Sequence, residues 1–125
     1  VRSLIHMNQN SCLFRDRQLW STSESSGVRW HGTKVNQPDW SYDSHSLAFE
    51  LTHYGCREHL HVMLNAYWQP LAFELPALPS DQAWRRMIDT NLSAPDDFSD
   101  APVKLADGQL SYTLGPRSCA VLVAR

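Results

Sequence analysis

Hydrophobic and polar positions alternate most clearly between Leu60 and Leu75 (LHVMLNAYWQPLAFEL). Leu60, Val62, Leu64, Ala66 and Trp68 take one phase and His61, Met63, Asn65 and Tyr67 the other. That period of two marks a strand with one buried face. Pro70 has no N–H to give a ladder, so pairing breaks at Gln69-Pro70 and resumes with Leu71, Phe73 and Leu75. The pattern predicts two strands joined by a tight connection at the centre of a sheet. Leu47, Phe49 and Leu51 predict a half-buried strand over Ser46–His53, and Val28–His31 a shorter one stopped by Gly32. Trp84, Arg86 and Ile88 share one side of a strand over Trp84–Asp89. Asn91–Pro102 reads as a long irregular loop. Asp107-Gly108 reads as a hairpin turn between Val103–Leu105 and Leu110–Leu114. Cys119–Val123 is apolar on both faces, as a covered central strand would be.

The first twelve residues differ. Val1, Leu4, Ile5 and Cys12 fall on one helical face, without an N-cap, so this helix needs a neighbour to pack on. Residues 13–20 read as a basic amphipathic connector and 21–27 as a polar loop. The expected architecture is therefore all-β, an antiparallel β-sandwich of Greek-key type over residues 21–125, preceded by a short helix and connector over residues 1–20.

Composition narrows the function classes. A length of 125 residues suits one domain, and a formal net charge of −2 gives no electrostatic reason to expect nucleic acid or an anionic membrane as partner. No apolar run is long enough for a transmembrane helix. Three widely spaced cysteines, Cys12, Cys56 and Cys119, do not suggest a disulfide framework and favour a reducing, cytoplasmic setting.

Three sets of residues invite chemistry. His53, Cys56, His59 and His61 gather in and beside one hairpin loop, and His59 and His61 share a strand face, as two imidazole ligands to zinc would. Their spacing matches no closed zinc site, and His61 alternates as a solvent-facing residue would, so no metal is expected. Asp39 and Asp43 in one loop, and Asp96, Asp97 and Asp100 in another, are of the type that hydrolyses glycosidic bonds when two carboxyls stand roughly 5–10 Å apart. In such sequences they more commonly form turns and caps. No GxSxG, activated-thiol motif or glycine-rich phosphate loop is present, so no catalytic residue and no cofactor is expected. Five tryptophans are many for this length. Trp30, Trp40, Trp68 and Trp84 could each stack on a glucose ring, but Trp68 and Trp84 lie on apolar phases and are expected in the core, whereas Trp40 lies in a loop and is expected at the surface. Trp30, Trp40 and Tyr42 are the candidates for stacking on glucose rings.

Eight short stretches carry a resemblance. Arg29-Trp30-His31-Gly32 is followed by Asn36-Gln37-Pro38-Asp39-Trp40-Ser41. Then come Ser46-Leu47-Ala48-Phe49, Asn65-Ala66-Tyr67-Trp68, Phe73-Glu74-Leu75-Pro76, Trp84-Arg85-Arg86, Ile88-Asp89-Thr90 and Ala94-Pro95-Asp96-Asp97. In this order they resemble the C-terminal region of bacterial glycogen debranching enzymes, the isoamylase-type members of glycoside hydrolase family 13; plant isoamylases are similar in the same places. The resemblance implies that Leu4-Ile5-His6 through Arg17 is the remnant of the last helix of a catalytic (β/α)8 barrel and its exit. It implies that the barrel of the same parent chain is the partner. It places the catalytic carboxylates on barrel loops absent from this sequence, so this chain alone is expected to be inactive. The implied role is to pack on and stabilise the barrel of an enzyme that hydrolyses α-1,6 branch linkages in glycogen. The alternative is a module that binds glycogen or another α-glucan directly through exposed Trp and Tyr residues.

Overall fold

The structure is a computed structural model and describes residues 2–11, 26–53 and 58–125. One helix, α1 (Arg2–Asn10), precedes eight strands among the described residues: β1 (Ser26–His31), β2 (Ser46–His53), β3 (His59–Asn65), β4 (Leu71–Glu74), β5 (Trp84–Asp89), β6 (Phe98–Lys104), β7 (Ser111–Leu114) and β8 (Ser118–Ala124). Six strands form one antiparallel sheet in the order β1-β2-β3-β8-β5-β6, and β4 and β7 pair antiparallel in a second, smaller one. The all-β sandwich read from the alternation is thus present. The bounds expected for β2 and β5 match those observed. The expected division at residue 20, and the connector before it, lie outside the described residues.

The main core lies between the sheets. Ala48, Met63, Trp84, Ala120, Leu122 and Ala124 of the large sheet meet Phe73, Tyr112 and Leu114 of the small one, with Leu75 beside them. The opposite face of the large sheet is also apolar. Its strand register aligns Val28, Leu51, Leu60 and Val123 in one row, Trp30, Phe49, Val62, Val121 and Ile88 in a second, and Leu47, Leu64 and Cys119 in a third. Met7 of α1 packs against the cluster built on the first row, in which Leu51, Leu60 and Val123 are buried. The third row stays only partly covered, and Leu64 is exposed. β8, central in this sheet, has apolar side chains on both faces, as its sequence predicts.

The structure corrects several expectations. In β3 the residues turned toward the small sheet are His61, Met63 and Asn65, not the Leu60–Leu64 phase, because the apolar rows form the other face of the same sheet. His61 is fully buried rather than solvent-facing. β3 and β4 belong to different sheets, so the Gln69-Pro70 turn is a crossover between layers rather than a hairpin. Asp107-Gly108 likewise turns the chain from β6 in one sheet to β7 in the other. Part of the loop expected over Asn91–Pro102 is the edge strand β6, which pairs with β5 across a register shift between Arg86 and Ile88. That irregularity puts Trp84, Met87 and Asp89 among the buried residues of β5, instead of Trp84, Arg86 and Ile88 on one side. Trp68 is 63% exposed and takes no part in the core. Leu4 and Ile5 on α1 are exposed, while Val1, Cys12 and Trp20 lie outside the described residues.

Candidate functional site

His31 ends β1 and Ser46 opens β2, while Asn65 ends β3 and faces Ser118 at the start of β8; the end of β5, at Asp89, lies opposite Ala120. Four connections therefore gather at one end of the large sheet: residues 32–45, 66–70, 90–97 and 115–117. Most of the motifs singled out above fall at this end.

Hydrogen bonds from side chain to backbone shape the first connection. The Asn36 N–H donates to His31 Nδ1 at 2.8 Å, with Asn36 in the left-handed region at φ 59°. Nδ1 is thereby the unprotonated nitrogen, and His31 Nε2 is left to donate to Glu50 Oε2 at 3.3 Å. Gly32 N–H donates to Lys34 O, and a Cβ on Gly32 would overlap the Gln37 carbonyl, so this turn accepts only glycine there. Asp39 Oδ1 accepts the Ser41 N–H at 3.0 Å, and hydrogen bonds from the Ser41 hydroxyl and backbone hold the Asp39 carboxyl below its usual range. The loop so fixed carries Trp40, 65% exposed, and Tyr42, fully exposed. Trp30, 44% exposed on β1, meets Trp40 edge to face at 5.3 Å and 72°, and Phe49 at 5.6 Å. Trp30 and Trp40 therefore do not form one coplanar surface.

The second connection is organised by a buried amide. Asn65 is 2% exposed. Its Oδ1 accepts the Tyr67 N–H at 2.9 Å, and its Nδ2 donates to Gln69 O at 3.0 Å, Gly115 O at 3.0 Å and, more weakly, Leu114 O at 3.4 Å. Ala66 N–H donates to His45 O at 2.8 Å, and Arg117 N–H to Tyr67 O at 3.1 Å. This turn presents Trp68, which lies 5.6 Å from Tyr67; Tyr67 stacks in turn on His45 at 5.8 Å and 10°. Reading the sequence by hydrophobicity missed the site, although the turn signal at Gln69-Pro70 was there to be used.

A third polar cluster is internal. His59 Nδ1 stands 3.6 Å from Glu50 Oε1, too far for a hydrogen bond, and neither ring nitrogen of His61 has a partner. Burial first, and then the electrostatic repulsion a proton on His61 would meet from nearby His31, push the His61 pKa down to about 4. The ring sits edge-on to His31 and tilted against Trp84, each at 5.6 Å. Cys56 and the side chain of His53 lie outside the described residues. Among the described residues no three His, Cys, Asp or Glu side chains converge as metal ligands. At the far side of the core, Asp89 accepts from the Tyr112 hydroxyl and from Asn91 N–H. Burial and that carboxylate raise the Tyr112 pKa to about 12. Asp97 supplies its carbonyl to Asp89 N–H, a structural use of the residues around Asp96 and Asp97. None of the described helices is long and apolar enough to cross a membrane.

Comparison with known proteins points in one direction. The family model for the C-terminal region of isoamylases 1–3 matches residues 29–122. "Isoamylase 2, chloroplastic" of Oryza sativa subsp. japonica is 24% identical over 109 residues, covering 78% of this chain and 14% of its own length. "Isoamylase SU1, chloroplastic" of Zea mays is 32% identical over 74 residues, covering 59% of this chain and 9% of its own. The chain thus spans a small fraction of the length of these relatives.

Proposed function

Because the chain belongs to the family of isoamylase 1–3 C-terminal domains, we propose that it is the non-catalytic β-sandwich of an isoamylase-type glycogen debranching enzyme, and that it packs on and stabilises that enzyme's catalytic barrel. In this reading the barrel hydrolyses α-1,6 branch linkages, and α1 is its last helix. A reducing, cytoplasmic setting fits the free thiol of Cys119. The observation that carries the reading is the apolar outer face of the large sheet. Its first row packs with Met7, whereas the row through Trp30, Phe49, Val62 and Val121 is only partly covered. Contiguous aliphatic and aromatic rows on a sheet face mark a protein interface. Fully covering one such side chain contributes about 1.5–3 kcal/mol.

The test places Val121→Lys in two settings. In this chain alone Val121 is only partly covered, so the lysine stem can lie along the face with its ammonium in water and the melting temperature should fall only slightly. In a protein that carries the barrel as well, the same change should lower the melting temperature of the barrel or shed it into aggregates. Equal behaviour in the two settings refutes the docking face. A second reading, glucan contact at Trp30, Trp40 and Tyr42, is supported by the exposure of Trp40 and Tyr42 and weakened by the edge-to-face angle of the Trp pair.

A further inference from the structure

We infer that the turn over residues 66–70 is an α-glucan contact, with the Trp68 ring as the surface on which a glucose unit stacks. The inference rests on the debranching-enzyme reading for its ligand class, and on the turn itself for its place.

A pyranose offers a flat patch of C–H groups ringed by hydroxyls. Its complement is a flat apolar ring set in hydrated, polar surroundings and already fixed in place. Trp68 is flat, 63% exposed and carried on a fixed turn whose residues Ala66, Gln69 and Pro70 are exposed too. Tyr67 and His45 extend it into a tier of three rings, each within 5.8 Å of the next.

The backbone below that ring is held from both sides. Asn65 binds positions 67 and 69 of the turn and ties it to Gly115, while His45 O and Arg117 N–H hold Ala66 and Tyr67. Such a scaffold costs binding little ordering entropy, which is how a single stacked ring yields measurable affinity. The ring takes no part in the main core, so the turn presents it to solvent. Beside the turn, Ala66, Thr90 and Arg117 line an open depression together with Leu64 and Cys119 of the third apolar row, and the exposed Arg117 side chain can donate to sugar hydroxyls there.

The test is titration of the full 125-residue chain with maltoheptaose by calorimetry, with cellohexaose as the control of opposite linkage stereochemistry. Saturable binding of maltoheptaose in the millimolar range is expected. Trp68→Ala should weaken it about tenfold or more, and Leu110→Ala, at an exposed apolar position just before β7 and away from the turn, should leave it unchanged. Trp68→Ala should also keep the wild-type melting temperature, which separates a lost contact from a lost fold. Absence of binding, equal binding by Trp68→Ala, loss through Trp40→Ala alone, or equal affinity for cellohexaose each overturns the inference. The docking test with Val121→Lys is independent of all these outcomes, so a failure here leaves the debranching-enzyme reading standing or falling by that experiment.

Discussion

Replacing Asn65 with alanine should cost the domain about 3 kcal/mol. The amide sits at the junction of three chain segments: Nδ2 donates to the Gln69, Leu114 and Gly115 carbonyls and Oδ1 accepts the Tyr67 N–H. Its loss affects its partners unequally. Gln69 is exposed, so its carbonyl finds water. Gly115 is buried, and its carbonyl loses a 3.0 Å bond. The Tyr67 N–H is only part-buried, and the Leu114 contact is long at 3.4 Å. An orphaned buried group costs about 1–3 kcal/mol, so one full loss and two partial ones reach about 3 kcal/mol. Against a usual total of about 5–15 kcal/mol this is a large part of the stability. With an unfolding entropy of about 2 cal/mol/K per residue, the melting temperature should drop by roughly 10 °C. Urea unfolding followed by far-UV circular dichroism measures the change directly. A loss below about 1 kcal/mol at unchanged m-value would refute the accounting, because it would mean that water satisfies the Gly115 carbonyl as well. Asn65→Asp sharpens the test. It keeps an acceptor for Tyr67 but sets a carboxylate against the Gly115 carbonyl, so its defect should shrink on acidification as the acid regains a donor.

Other consequences can be measured with the same methods. His61 has its pKa lowered to about 4 from 6.5, so the unfolded chain binds the extra proton; its contribution is complete above pH 6.5 and is lost as pH falls toward 4, about 3 kcal/mol in all. His61→Leu should flatten this part of the stability–pH curve and cost nothing at neutral pH, since both ring nitrogens lack partners; an unchanged slope would show that the proton is taken up elsewhere. Gly32→Ala should destabilise by roughly 1–3 kcal/mol, because the added methyl meets the Gln37 carbonyl rather than a movable side chain, and a wild-type melting temperature would contradict that. Phe73→Ala, at a fully buried position, should cost about 3–5 kcal/mol, whereas Trp68→Ala should cost under about 1; urea midpoints that reverse this order would overturn the core assignment.

Periodicity was a sound guide where a strand has one apolar phase. Ser46–His53 could be delimited from sequence for that reason, the bounds of Trp84–Asp89 were found although its register shift displaced the buried phase, and the two-faced composition of Cys119–Val123 correctly marked a central strand. It misled at β3, where two apolar faces compete and the more hydrophobic phase is the outer one. Seen from sequence, His61 and Asn65 look like solvent residues; only the neighbouring strands show that a histidine and an amide fill core positions. All of β6 but its end at Val103 and Lys104 was read as loop because Asp100 and Pro102 are poor strand formers, yet they suit a strand at the edge of a sheet, where one side needs no ladder and charge discourages further pairing. The error at Trp68 was to let the hydrophobicity of the side chain outweigh the turn in which it sits. For the candidate site, the exposure of Trp40 and Tyr42 was readable from their loop. The convergence of four connections at one end was not, since it depends on the order of strands in the sheet.

Cys119 lies in the third apolar row beside Leu64, with a free thiol and partial exposure. The outer face therefore carries its own chemical reporter. Alkylation at this one sulfur, followed peptide by peptide in a mass spectrometer, gives a rate that falls when anything covers the sheet and recovers when it leaves. Occupancy of the face thus becomes a kinetic quantity, readable in the unaltered protein and in crude mixtures.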